Sequence, residues 1–243
     1  MIASHVQRHY PGAITEIDFV ERLRTEVKKH GVDLTKLLLA TSICADDIIP
    51  MRESETPLAK AKSRLKKDFL GPFAMGGLAG LPYSGLTGIQ ALAHHVPDGG
   101  SVLFVYGPHI GISAEGTLGK LQRPGQHKET GACGALHVAV EHLRSSADYR
   151  PPHDDDDTEQ MTLERRLLPF RERILAAESP LKEATEVAYA VIHELIQRYV
   201  RSKRTEFHCE YVATAGGIII NTGPDSEDYV DLRHLDVRRL SEL

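Results

Sequence analysis

Cysteine is scarce in this chain: three residues among 243, odd in number and widely spaced, cannot supply a disulfide framework. That points to a reducing compartment. Long apolar runs are also missing, since no stretch approaches the roughly 18 residues of a membrane span. Met1 to Ile14 has neither a basic leading segment nor an apolar one, so a soluble, cytoplasmic protein with no membrane partner is expected. Charge of one sign is lacking too. The formal net charge of −5 is spread over mixed-sign segments, which leaves no nucleic-acid footprint. No internal repeat is evident.

With 41% hydrophobic residues, the chain can bury one sizeable core, and a single α/β domain over 1–243 is the economical reading. Ile17, Phe19, Val20, Leu23 and Val27 recur at helical spacing before Gly31, which predicts an amphipathic helix at about 16–30. Lys36 to Cys44 and Ser101 to Tyr106 are short, continuous apolar runs that read as buried strands. Leu58 to Phe69 is basic and helix-forming, and Thr87 to His95 reads as a short helix before the turn at Pro97-Asp98-Gly99-Gly100. Gly131-Ala132-Cys133-Gly134 opens another helical pattern. The segment at about 148–158, with Asp154 to Asp157, reads as a solvated acidic loop, with a calcium site as the lesser alternative. Helical stretches then follow at Leu163 to Ala177 and Pro180 to Ser202, and β-formers at Glu206 to Ala213 and Gly217 to Asn221. The alternation, with a hairpin at the end, predicts a mixed, largely parallel sheet flanked by helices.

The glycine-rich run Gly76 to Gly85 invites a phosphate-cradle reading, but it lacks the Gly-Lys-Ser/Thr ending of such a loop. A different chemistry is suggested by Cys44 and His109, each just past a predicted strand, and Cys133 at a predicted helix start. Thiolate and imidazole are zinc ligands, and a catalytic zinc site uses three protein ligands with a fourth position for water. Strand ends are where open α/β sheets place ligands. Taken singly, each residue also has a plain reading: a buried cysteine as a small hydrophobe, a histidine as a turn residue. Cys209 keeps the plain one.

Cys44-Ala45-Asp46 resembles the Cys-x-Asp element of β-carbonic anhydrases. Gly77 to Pro82, Pro97-Asp98-Gly99-Gly100, Val105 to Gly111, Gly131 to Gly134 and, less specifically, Gly216 to Thr222 resemble the limiting-CO2-inducible protein B/C family, which shares the fold and zinc site of that class. The resemblance implies a β-carbonic-anhydrase-like sheet, a homodimer, Zn2+ on Cys44, His109 and Cys133, and Asp46 beside the metal. It implies reversible hydration of CO2 to bicarbonate, with water and CO2 as the partners. Two departures stand out. Where the β-class pattern puts an arginine two residues after the aspartate, this chain has Ile48, so Arg52 is the first candidate partner of Asp46 and Arg123 the second. His109 and Cys133 are also far apart rather than close in sequence, as is normal in the narrower family.

An arginine matters because a paired guanidinium holds the carboxylate off the metal, whereas an unpaired Asp46 can close the site. Tyr83 is a candidate to line the site or orient water, and also reads as a core aromatic. His95, with His94, is a candidate proton shuttle, with a helix C-terminal pair as the competing reading. Three functions stay open on sequence: a zinc carbonic anhydrase, a zinc-bearing but catalytically silent binding or regulatory homologue, and a zinc hydrolase of larger substrates. Cobalt or iron also suit such ligands.

Overall fold

The computed structural model describes residues 2–46, 70–123, 125–223 and 226–243. Its first long element forms where the apolar spacing requires it. Helix α2 (Glu16–Lys29) follows α1 (Ile2–His9) and the short strand β1 (Ile14–Thr15). The Thr15 hydroxyl caps α2 by accepting from the Asp18 N–H, and Phe19, Val20, Leu23 and Val27 are buried along one stripe.

The two apolar runs become β2 (Leu37–Ile43) and β4 (Ser101–Gly107), paired parallel from Leu37–Ser101 to Ile43–Gly107. Strand β3 (Leu70–Ala74) flanks β2, and β8 (Tyr211–Asn221) flanks β4, both parallel. Antiparallel β9 (Tyr229–Arg239) then pairs with β8, and β1 with β9, giving the order β1-β9-β8-β4-β2-β3, while the two-residue strands β6 (Lys120–Leu121) and β7 (Thr130–Gly131) pair with each other apart from it. The mixed, mostly parallel sheet is therefore as expected.

Alternation along the central strands sends neighbouring side chains to opposite faces. Leu37, Leu39, Leu103, Ala213 and Ala215 pack under α2. Leu38, Ala40, Val102, Phe104 and Val212 face a larger layer made by α3 (Gly85–Ala93), α4 (Gly134–Ser145), α5 (Thr158–Leu167), α6 (Arg171–Ala176) and α7 (Pro180–Ser202). Phe104 is 1% exposed and meets Phe207 edge-on at 6.5 Å between ring centroids. Phe104→Ala is expected to lower the unfolding free energy by about 3–5 kcal/mol, the usual cost of emptying such a position, measured by urea denaturation. No helix among the described residues is long and apolar enough to cross a membrane.

Several elements differ from the sequence reading. Leu163 to Ala177 is not one helix: Pro169, without an N–H, interrupts the ladder, so α5 ends at Leu167 and α6 begins at Arg171. Helix α5 also starts at Thr158, which shortens the acidic loop to 148–157. The two late β segments are a single strand, β8, with a register shift between Gly216 and Gly217, and Glu206 and Cys209 lie before it. The final hairpin is β8 with β9. Gly71-Pro72 lies within β3, an edge strand where a missing N–H is tolerated. The Leu58 to Phe69 helix lies outside the described residues.

Candidate metal centre

The site lies at the C-terminal mouth of β2 and β4. Cys44 follows the last paired residue of β2, Ile43, whose partner is Gly107. There the backbone of β4 passes so close to Gly217 that a Cβ on Gly107, whose φ is +155°, would overlap the Gly217 carbonyl. Past Pro108 the chain resumes as β5 (His109–Gly111), which continues along β8 with His109 opposite Ile219. His109 is thus not in an exposed turn. It is 1% exposed and anchored in the sheet.

Cys133 arrives from the other side, as the residue before α4. Hydrogen bonds from Gly111 N–H to the Ala132 carbonyl (2.9 Å) and from Ala132 N–H to the Gly119 carbonyl (3.1 Å) tie its approach to β5. Cys44, His109 and Cys133 are all buried, and their ligand atoms lie within 4.8 Å of one another. The two Sγ atoms are 3.5 Å apart.

The thiols are unequal. The bond with the Cys44 thiol, together with the Leu136 and Ala135 N–H groups at the start of α4, outweighs burial and lowers the Cys133 pKa below the usual value. Cys44 is pushed up by the same shared bond and by burial. The Ala79 N–H also donates to Cys44 Sγ at 3.1 Å. Ala79 reaches it through the tight turn Leu78–Gly80, in which Gly80 has φ +81° and packs on the Gly107 carbonyl. Two sulfur donors and one imidazole, buried and converging, fit a tetrahedral zinc ion with its fourth position open.

Asp46 stands beside this cluster. Its Oδ2 accepts from the Gly134 N–H at 2.8 Å and lies 3.8 Å from His109 Nε2. Arg123 Nη2 approaches both carboxylate oxygens, at 3.4 and 3.5 Å. The guanidinium is itself held by Thr130 Oγ1 at 2.5 Å and by the Gly131 carbonyl at 3.3 Å. The structure therefore brings the second arginine candidate to Asp46, while Arg52 lies outside the described residues.

Tyr83 is partly buried, and its hydroxyl donates to the Glu159 carbonyl at 2.6 Å, tying the glycine-rich turn to α5. Burial raises its pKa, which keeps it a donor rather than a base. His95 is not brought to the cluster. It follows α3 at the end of the sheet where β4 begins, exposed, with its ring 5.7 Å from that of Phe73.

Two residues were missed by sequence reasoning. Asn221 Oδ1 is 2.6 Å from His109 Nδ1, and Asp228 stands behind Asn221 at 3.2 Å. Asn221 ends an apolar strand, a position that reads equally well as the start of a turn, and Asp228 has no motif around it.

The chain and its fold have known relatives. The family model described as limiting CO2-inducible proteins B/C beta carbonic anhydrases matches residues 13–239. The crystal structure of PtLCIB4, a homolog of the limiting CO2-inducible protein LCIB, is similar over 98% of this chain and 96% of its own, at 29% identity and a TM-score of 0.87. A point mutant of PtLCIB4 in which a histidine is replaced by alanine is similar over 98% and 95%, at 28% identity and the same TM-score of 0.87. The crystal structure of LCIB shares the fold, with a TM-score of 0.70 at 21% identity over 95% of this chain and 92% of its own. Among curated proteins none is significantly similar in sequence.

Proposed function

The chain belongs to the limiting-CO2-inducible protein B/C family of β-carbonic anhydrases, and from that premise we propose that it is a zinc-dependent carbonic anhydrase interconverting CO2 and bicarbonate. The observation that carries the reading is the paired Asp46. Beside three buried metal-ligand side chains, its carboxylate is fixed by the Gly134 N–H and faced by Arg123 instead of being left to close the site.

Cys44, His109 and Cys133 would hold the ion. Zinc in such a site lowers the pKa of a bound water from 15.7 to roughly 7 and so supplies a nucleophile at neutral pH. Asp46 accepts a proton from the reacting water and aims its lone pair at the carbon of CO2. Gly134 and Arg123 fix the plane of that carboxylate, and the guanidinium also offsets negative charge developing towards bicarbonate. Arg123 in turn keeps its angle through Thr130 and the Gly131 carbonyl.

The proposal extends to a homodimer working in the cytoplasm. All three cysteines are free, and two of them sit with sulfurs 3.5 Å apart, an arrangement an oxidising compartment would convert to a disulfide at the expense of the metal site. The dimer is supported by the family alone, and sedimentation analysis tests it.

Isotope exchange tests the role of the carboxylate. Loss of ¹⁸O from labelled CO2, followed by membrane-inlet mass spectrometry, is expected to be rapid with the zinc-loaded protein. In Arg123→Ala it is expected to slow roughly 10²-fold, because a mis-aimed group costs that much, while zinc content stays unchanged. Equal rates in the two proteins would remove Arg123 from the account.

A further inference from the structure

Behind His109 lies a short chain of buried polar groups with a definite direction. Asn221 and Asp228 are 5% and 6% exposed, so water does not compete for their bonds. Asp228 accepts with both oxygens: Oδ1 from the Thr222 N–H at 2.8 Å, and Oδ2 from the Asn221 amide nitrogen at 3.2 Å. Its own carbonyl accepts from the Glu16 N–H at 3.0 Å, which fixes it to the start of α2. Asn221 is fixed as well, because its carbonyl accepts from the Ile112 N–H at 2.9 Å and it pairs with Gly111 in the sheet. His109 and Asn221 stand two residues apart in register on one face of the sheet, close enough for their side chains to meet at 2.6 Å.

A carboxylate can only accept, whereas an amide has one accepting and one donating end. With the Asn221 NH2 drawn to Asp228, its oxygen must face His109. That oxygen can only be matched by a proton on Nδ1, which leaves the lone pair on Nε2, the nitrogen on the Asp46 side of the ring. We propose that Asp228, acting through Asn221, is a positioning residue that sets the tautomer of His109 so that Nε2 is ready to bind the metal. The inference rests on the reading of Cys44, His109 and Cys133 as a metal site, and goes beyond it in naming the groups that prepare the imidazole. Outer-shell partners of metal-bound histidines typically influence affinity by about 10–100-fold.

Asp228→Asn reverses the direction of the chain. The new amide at position 228 has a single accepting atom, which the Thr222 N–H takes. Its NH2 then turns the Asn221 oxygen away from His109, and the Asn221 NH2 meets Nδ1, driving the ring proton to Nε2. Adding Asn221→Asp restores the direction, since the new carboxylate at 221 accepts from both His109 Nδ1 and the amide at 228. The double variant keeps each of the hydrogen bonds described above in number, so it remains informative where the single variant folds poorly.

Two readouts test the proposal on full-length protein. The first is zinc affinity, by competition with a chromophoric chelator. The second is the His109 tautomer in zinc-free protein, by long-range ¹H–¹⁵N correlation, with the His109 signals identified by their loss in His109→Ala. We expect Nδ1–H in the parent, Nε2–H and an affinity about 10–100-fold lower in Asp228→Asn, and recovery of both in the double variant. Parent-like tautomer and affinity in Asp228→Asn, or a folded double variant that recovers neither, would overturn the proposal. A parent protein that takes up no zinc sinks the metal reading instead, and the tautomer signature still decides the role of Asp228.

Discussion

Cys133→Ala is expected to bind no zinc at micromolar concentrations and to hydrate CO2 no faster than buffer. The loss should be this complete because, among the described residues, the metal-ligand cluster consists of Cys44, His109 and Cys133 alone. Removing even an outer-shell partner of a metal ligand commonly costs about 10–100-fold in affinity. Losing a ligand itself costs more, and Cys133 is a ligand candidate that the N–H groups at the start of α4 favour as an anion. The fold should survive, because Cys-to-Ala removes one buried atom from a large core. The check is metal content by atomic emission beside the urea midpoint. One zinc per chain retained in a folded Cys133→Ala protein would place the ion elsewhere.

Asp46→Asn is expected to keep its zinc and lose activity by about 10²-fold or more, the range over which a positioned general base contributes. Asparagine preserves the shape, and its oxygen can still accept from the Gly134 N–H. It cannot take a proton, however, and its NH2 would face the Arg123 guanidinium donor to donor. Zinc content should be unchanged, because the three ligands are fixed by the sheet and by α4 rather than by Asp46. The measurement is kcat/KM for CO2 hydration on protein of known zinc content. Full activity in this variant would give Asp46 a structural role only.

Much of this site was legible because its ligands follow patterns that the sequence displays. Cys44 and His109 end apolar runs short enough to be buried strands, and Cys133 opens a helical pattern, so all three could be placed at one rim of an α/β sheet before any contact was known. The quoted motifs then supplied what spacing could not, namely the family. What stayed hidden was tertiary. Arg123 is 77 residues from Asp46, and only the packing of the loop before α4 against the mouth of β2 brings them together. Asn221 is 112 residues from His109 and gains its meaning from the β5–β8 register alone.

The fold showed the same division. Helix α2 and helix α7 have the bounds that apolar spacing and caps predict, because their stripes are regular and uninterrupted. Strand β9 escaped notice since Asp231, Arg233, Asp236 and Arg238 alternate through it, and a charged strand at the side of a sheet carries little apolar signal. The position of His95 follows from topology. A histidine that precedes a parallel strand lies at the opposite end of the sheet from one that follows it, so His95 and His109 are separated by the length of β4.

The central claim is that this family member turns over, and stopped-flow hydration of CO2 with a pH indicator, on protein shown to carry one zinc per chain, tests it most directly. The expected result is indicator change far faster than the buffer blank at pH 7 and faster still at pH 9, where more of the zinc-bound water has ionised. Fully zinc-loaded protein that matches the blank at both pH values would contradict it and leave a metal-binding protein with this fold and no carbonic anhydrase activity.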